Sequence, residues 1–265
     1  MAPAPSPANS DSLQFEAFCL YRALMRDRAF DEDAEPNLGG RLLYVGELNA
    51  HSRAMVIAGN VAGCATLAVA DDPMVHKLAM RDGVVDFVVR SLDESLRIFK
   101  NEIRKRNAVA VSVTAAPFAV EREMLERGVL PDLLFADLRD EPRRVCHFGP
   151  GEQGVHPDTP DASAARINWQ VEQAPARWMQ RLDAIAIECL AEDKQASRWI
   201  RLAPRYFGRT EQGHRALYCD ALAANEIVRC FGEAVRSGAI GTKVAMSLRI
   251  RGEAKEFQFD SAASG

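Results

Sequence analysis

The sequence predicts an α/β protein built on a doubly wound, mostly parallel sheet, followed by a C-terminal α+β segment. Three observations carry that reading. Between Arg41 and Ala136 short apolar runs alternate with helical patterns of about 8–15 residues, the rhythm of βαβ units. Runs such as Ala65 to Val69 and Val109 to Val113 are largely apolar throughout, as strands covered on both faces are. Beyond Gly149 the pattern breaks, and two alternating runs, Lys243 to Ile250 and Glu256 to Phe259, turn about Gly252 like an antiparallel pair.

The elements follow in order. Leu13 to Phe30 carries an apolar stripe at helical spacing, capped by Ser12 or Asp11 and ended by the acidic run Asp31 to Glu35 before Pro36. Arg41 to Gly46 reads as a strand, Glu47 to Arg53 as a polar turn, Ala54 to Ala62 as a small-residue helix and Cys64 to Ala70 as a second buried strand. Asp71-Asp72-Pro73 opens a helix to about Arg81, since proline suits a first helical turn. A strand over Val84 to Val89, a helix from Ser91 to Arg106 and a strand over Val109 to Val113 come next. Phe118 to Arg127 is a helix ended by Gly128, and Leu130 to Ala136 closes the series.

Gly149 to Pro175 is rich in Gly, Pro, Asp and Ser and reads as a long loop or linker. Ala176 to Ala191 is helical, Trp199 to Leu202 a short extended stretch, and His214 to Arg236 a helix stopped by Ser237-Gly238. The expected organisation is a disordered tail over 1–12, a helix and acidic linker over 13–38, the sheet domain over 39–148, the linker over 149–175, and over 176–265 a C-terminal segment packing on the core.

Composition narrows the function classes. A formal charge of −4 over 265 residues gives no global reason to expect nucleic acid, and no apolar run approaches a membrane span. The Pro/Ala/Ser-rich start has no secretory pattern, and the six cysteines are scattered without a CxxC pair, so cytoplasm is the expected compartment. Cys146-His147 with His156 supplies too few ligands for a metal, and none is expected.

The turn from Glu47 to Arg53 stands where a dinucleotide-binding unit has glycines that bring the backbone to a pyrophosphate at a helix N-terminus. Here Asn49, His51, Ser52 and Arg53 carry full side chains, and Glu47 brings an anion. His51 and Arg53 could receive a different anion or be solvated turn residues. Arg198, Arg201, Arg205, Arg209, His214 and Arg215 lie among Trp199, Tyr206 and Phe207, a basic and aromatic strip that fits a phosphate or single-stranded nucleic acid. A solvated or intersubunit strip in a net-acidic protein is the simpler account, and nucleic acid is not expected.

Gly40-Arg41-Leu42-Leu43, Val61-Ala62-Gly63, Ser91-Leu92-Asp93-Glu94-Ser95-Leu96 and above all Met124-Leu125-Glu126-Arg127-Gly128-Val129-Leu130-Pro131-Asp132 resemble the central Rossmann-like domain of urocanate hydratase (urocanase). A fainter similarity runs through Cys189, Arg198-Trp199-Ile200, Ala224-Asn225-Glu226-Ile227-Val228 and Arg236-Ser237-Gly238. The resemblance implies a fold that holds NAD, used by that family as an electrophile toward an imidazole-bearing substrate, and a place near histidine metabolism.

Departures from the family concentrate in its site. Its loop G-L-G-G-M-G-G-A-Q falls on Glu47 to Met55, where every glycine is replaced. The acid ending its second strand falls on Ala70, with Asp71 next door as a candidate ribose ligand. Its G-N-A-A-E turn falls on Ala115 to Ala119, and its D-Q-T-S-A-H-D-P segment on Ala136 to Arg143, without the polar set. The family's long N-terminal region and glycine-rich C-terminal region have no counterpart. Cys189 aligns with the family's active-site cysteine region and is the one catalytic candidate, although a core cysteine on a helix needs no function.

The expectation is therefore a urocanase-like paralogue without urocanate hydratase activity and without bound cofactor, in a binding, regulatory or assembly role. The alternatives are an NAD-dependent lyase with a remodelled loop, in which Asn49, His51, Ser52, Arg53 and Asp71 hold the cofactor, and a phosphate or nucleic-acid binder using Arg198 to Arg215. A homo-oligomer or a hetero-partner is expected, because apolar residues spread around the helix from His214 to Arg236.

Overall fold

Gly59 sets how closely helix and sheet approach in the first half of the chain. A Cβ built there would lie 2.7 Å from a Leu43 methyl and 2.8 Å from the Thr66 hydroxyl. The computed structural model describes residues 7–26, 36–135, 153–155 and 164–260. The chain divides into two units, residues 19–158 and residues 1–18 with 159–265.

In the unit of residues 19–158 the elements are β1 (Leu42–Glu47), α2 (Ala50–Ala62), β2 (Ala65–Ala70), α3 (Pro73–Arg81), β3 (Phe87–Val89), α4 (Leu92–Lys105), β4 (Val109–Thr114), α5 (Pro117–Glu126), β5 (Leu133–Phe135) and β6 (Gln153–Val155). A preceding helix, α1 (Pro7–Met25), contains the point at which the units divide. The strands form one sheet in the order β3-β4-β2-β1-β5-β6, every pair parallel, which is the Rossmann-like architecture. β1 leads one way to β2 and the other way to β5, so the strand order reverses between β1 and β5.

Alternation along the strands sorts the two faces. Leu42, Tyr44, Leu67, Val69, Val111 and Val113 pack with Phe99 of α4 and with Val120 and Met124 of α5 in one apolar core. Leu43 and Thr66, one residue out of phase, meet Gly59 of α2 on the other face. Both faces are covered, and for that reason β2 is buried at every position.

The motif that carries the family resemblance serves the sheet. Gly128 sits at φ 65°, in the left-handed region that ends a helix cheaply for glycine. Four residues later Asp132 accepts from the Leu42 amide (2.8 Å) and from Arg41 (3.0 Å), while its own amide donates to the Leu42 carbonyl. The carboxylate thus registers β5 against β1.

The second unit holds β7 (Ala165–Gln170), α6 (Pro175–Cys189), α7 (Lys194–Leu202), β8 (His214–Cys219), α8 (Ala221–Arg236), β9 (Val244–Ile250) and β10 (Glu253–Phe259). Its four-stranded sheet runs β10-β9-β7-β8, antiparallel throughout. Trp169 of β7 packs edge-on against Phe231 of α8, and Phe18 packs edge-on against Trp199.

Four expectations are corrected here. The stretch expected to be a loop over 149–175 contains β6 and β7, since Ala165, Ile167 and Trp169 alternate inward with Arg166 and Asn168. Trp199 to Leu202 is helical rather than extended, because Asp193 caps α7 through the Ala196 amide. The helix expected from His214 is a strand up to Cys219, and α8 begins only where Asp220 accepts from the Leu222 and Ala223 amides. Residues 7–12, expected in a disordered tail, belong to α1. The acidic linker Asp31 to Glu35 lies outside the described residues.

Candidate functional site

Ligands of open α/β sheets bind beyond the carboxyl ends of the strands where the strand order reverses. In this chain that place is the end of β1, the start of α2 and the end of β5. Gly46, at φ 77°, marks an irregularity in the β1–β2 register, and Glu47 follows, exposed, as the last strand residue.

The helix starts four residues earlier than its apolar pattern suggests, at Ala50, and the reason is Asn49. Its side-chain oxygen accepts from the His51 and Ser52 amides, both at 2.9 Å. Ser52 answers with a hydroxyl that accepts from the Asn49 amide (2.8 Å) and donates to the Glu47 carbonyl. This reciprocal capping box satisfies the His51 and Ser52 amides, which a helix N-terminus otherwise offers to an anion. A diphosphate here would have to displace Asn49 and approach Glu47. The turn does not fit a dinucleotide diphosphate in the manner of a glycine-rich loop.

Arg53 is also turned away. Its guanidinium pairs with Asp82 at 3.0 Å, half-buried beside α3. His51 leans on Phe135, ring centres 5.3 Å apart, and so spans the β1/β5 reversal. Asp71 is exposed just past β2, and its neighbour Asp72 is engaged as the cap of α3 through the Met74 amide (2.8 Å). Asn49, His51 and Ser52 are thus brought together as one turn, and Arg53 leaves it. The segment Ala136 to Arg143 lies outside the described residues.

His76 was not singled out by the sequence. It is buried, and its Nε2 lies 3.0 Å from the Ala70 carbonyl and 3.4 Å from the Thr114 hydroxyl, at the carboxyl ends of β2 and β4. A carbonyl partner makes Nε2 the protonated nitrogen. His76 ties α3 to the sheet from within. A histidine on the buried face of a short amphipathic helix was the available signal.

Cys189 belongs to the other unit, as the last residue of α6. Burial above all, then the hydrogen bond that its thiol gives to neighbouring Cys230 and the charges of Cys230, Glu226 and Glu188, push its thiol up to about 12. A nucleophilic cysteine needs the opposite environment, a cation or helix N-terminus that stabilises the thiolate.

The basic strip does not assemble as a strip. Arg198 and Arg215 are buried, as are Trp199, Tyr206 and Phe207, leaving Arg201, Arg205 and Arg209 exposed. Arg215 grips Asp183 with two nitrogens, at 2.8 to 3.2 Å. His214 meets Gln14 at 2.9 Å. Aromatic rings in the core offer no stacking platform for bases.

Among the described residues no group of three His, Cys, Asp or Glu side chains is placed to hold a metal ion. Cys146, His147 and His156 lie outside them. No described helix is long and apolar enough to cross a membrane.

The parallel sheet, the reversal at β1/β5 and the Gly128-to-Asp132 closure coincide with a family match. Residues 23–138 match the urocanase Rossmann-like domain. Through that domain the chain is a relative of the urocanase family.

Proposed function

We propose that this chain is a urocanase-like protein that retains the Rossmann-like domain without urocanate hydratase activity, in a binding, regulatory or assembly role. The observation that carries the reading is the capping of the α2 amides by Asn49, with Glu47 at the same mouth. A dinucleotide relies on those amides for its diphosphate. An anion beside them opposes it by charge. Cys189, held protonated in the other unit, supports the same view.

Native mass spectrometry of the purified protein tests the cofactor half, and urocanate absorbance tests the activity. Chains without stoichiometric NAD that leave urocanate unchanged support the proposal. Near one NAD per chain, or consumption of urocanate, overturns it. One observation favours the second reading, an NAD-dependent lyase: Asp71 is exposed directly after β2, where a ribose would be held. That reading requires the NAD-loaded species in the same spectrum.

A further inference from the structure

β3 is an edge strand with an apolar surface. Phe87 is 48% and Val88 37% exposed, and among the described residues β3 pairs only with β4. Charged or covered edges are the usual protection against pairing with another chain, and among the described residues Phe87-Val88-Val89 has no charge of its own and no strand on its outer side.

The backbone defines which groups are open. The Asp86 amide donates to the Ala110 carbonyl (2.9 Å), so alternation turns the amide and carbonyl of Val88 toward β4. Those of Phe87 and Val89 therefore point outward. The flanking residues are an acid, Asp86, and a base, Arg90, both exposed.

We infer that β3 pairs with β3 of a second copy of this chain, antiparallel about a two-fold axis through Val88. In that register Phe87 lies opposite Val89 of the other copy, and the outward amides and carbonyls of both residues exchange hydrogen bonds. Asp86 then faces Arg90 of the other copy, twice, in a non-hydrogen-bonded position where side chains come closest. Pairing Phe87 with itself, or Val89 with itself, loses both charge pairs. Charge complementarity and the open backbone groups thus select the same register.

Apolar surface extends beside the axis. Val88 points to the face opposite Val89, the face where His76 of α3 meets Thr114. Met74 and Leu78 are exposed on α3, one turn apart. A closed two-fold contact uses the same patch from both copies. The inference is independent of whether the chain holds NAD.

Sedimentation velocity across a concentration series, with Val88→Asp and Arg90→Glu, tests it. Wild type is expected to dimerise. Each variant is expected to keep the wild-type circular dichroism and to weaken the dimer by about tenfold or more. Mixing Arg90→Glu with Asp86→Arg is expected to restore a dimer, because every acid then faces a base. Asp86 also accepts from the Ala110 amide (2.7 Å), so Asp86→Arg risks the fold. Amide exchange on wild type removes that dependence: Phe87 and Val89 are expected to gain protection as concentration rises. A wild-type monomer at millimolar concentration overturns the inference. So does a dimer indifferent to Val88→Asp and Arg90→Glu, or one that leaves the Phe87 and Val89 amides unprotected.

Discussion

Asn49 and Ser52 cap each other at the mouth of the sheet. Each side chain accepts from the other's backbone amide, at 2.9 and 2.8 Å. The consequence is mechanical as well as electrostatic, since the same bonds that start α2 close its anion site. Asn49→Ala is expected to lower stability by about 1 kcal/mol, and Asn49→Gly by only a few tenths. Urea denaturation of the two variants checks the ordering. Equal losses would place the stabilisation elsewhere.

Gly59 supports a second prediction. Its missing side chain lets α2 lie against Leu43 and Thr66. Helix propensity alone favours alanine over glycine, by up to about 1 kcal/mol. The Leu43 and Thr66 side chains it would meet are fully buried in a packed sheet, and overpacking costs about 1–3 kcal/mol. Gly59→Ala is therefore expected to be destabilising despite its better propensity, with a lower thermal midpoint than wild type. A raised midpoint would show that the contact relaxes freely.

The sheet domain was legible because its strands are apolar runs bounded by Pro, Gly and acidic caps, each tied to a helix pattern. Ala65 to Ala70 admits little else. Local signals failed where tertiary context decides. His214 to Cys219 carries apolar residues that suit strand and helix alike, and only the Asp220 cap separates β8 from α8. The apolar residues of α8 do not spread around it as expected: Leu222 is 83% exposed, while Ala224, Ile227, Phe231 and Val235 form the one buried face. At the site, the sequence exposed the loss of glycines in Glu47 to Arg53. It could not show that Arg53 turns to Asp82 or that Asn49 takes the amides, because both depend on side-chain direction.

Cys189 provides a chemical test. A thiol near 12 leaves a thiolate fraction of only about one in 10⁴ to 10⁵ at pH 7.5, against roughly a tenth for a free cysteine. Iodoacetamide labelling, resolved by peptide mass mapping, is expected to modify Cys189 about 100-fold or more slowly than free cysteine. The rate should keep rising up to the limit of protein stability in alkali. Labelling at the free-thiol rate at neutral pH would reinstate Cys189 as a nucleophile.

Asp183 and Arg215 make the last prediction, on pH. Burial raises the Asp183 carboxyl above its ordinary value of 3.8, more than the Arg215 charge and hydrogen bonds lower it. The side chains are 15% and 9% exposed, so solvent screens them little. A carboxyl whose folded value is raised binds its proton more tightly in the folded state. Its contribution to stability is fully present below pH 3.8 and is lost as pH rises through the raised value. Asp183→Asn carries no such proton, so its stability relative to wild type should improve as pH increases across that window. Asp183→Ala removes the acceptor altogether and leaves the Arg215 guanidinium on the carbonyls of Gln212 and His214. It is expected to cost about 3–5 kcal/mol more than Asp183→Asn, with the same pH trend, since neither variant binds the proton. Urea titrations of the three proteins at a series of pH values decide the sign. If the advantage of wild type over Asp183→Asn grows with pH instead, the Arg215 charge outweighs burial, and the pair is a net stabiliser in its ionised form.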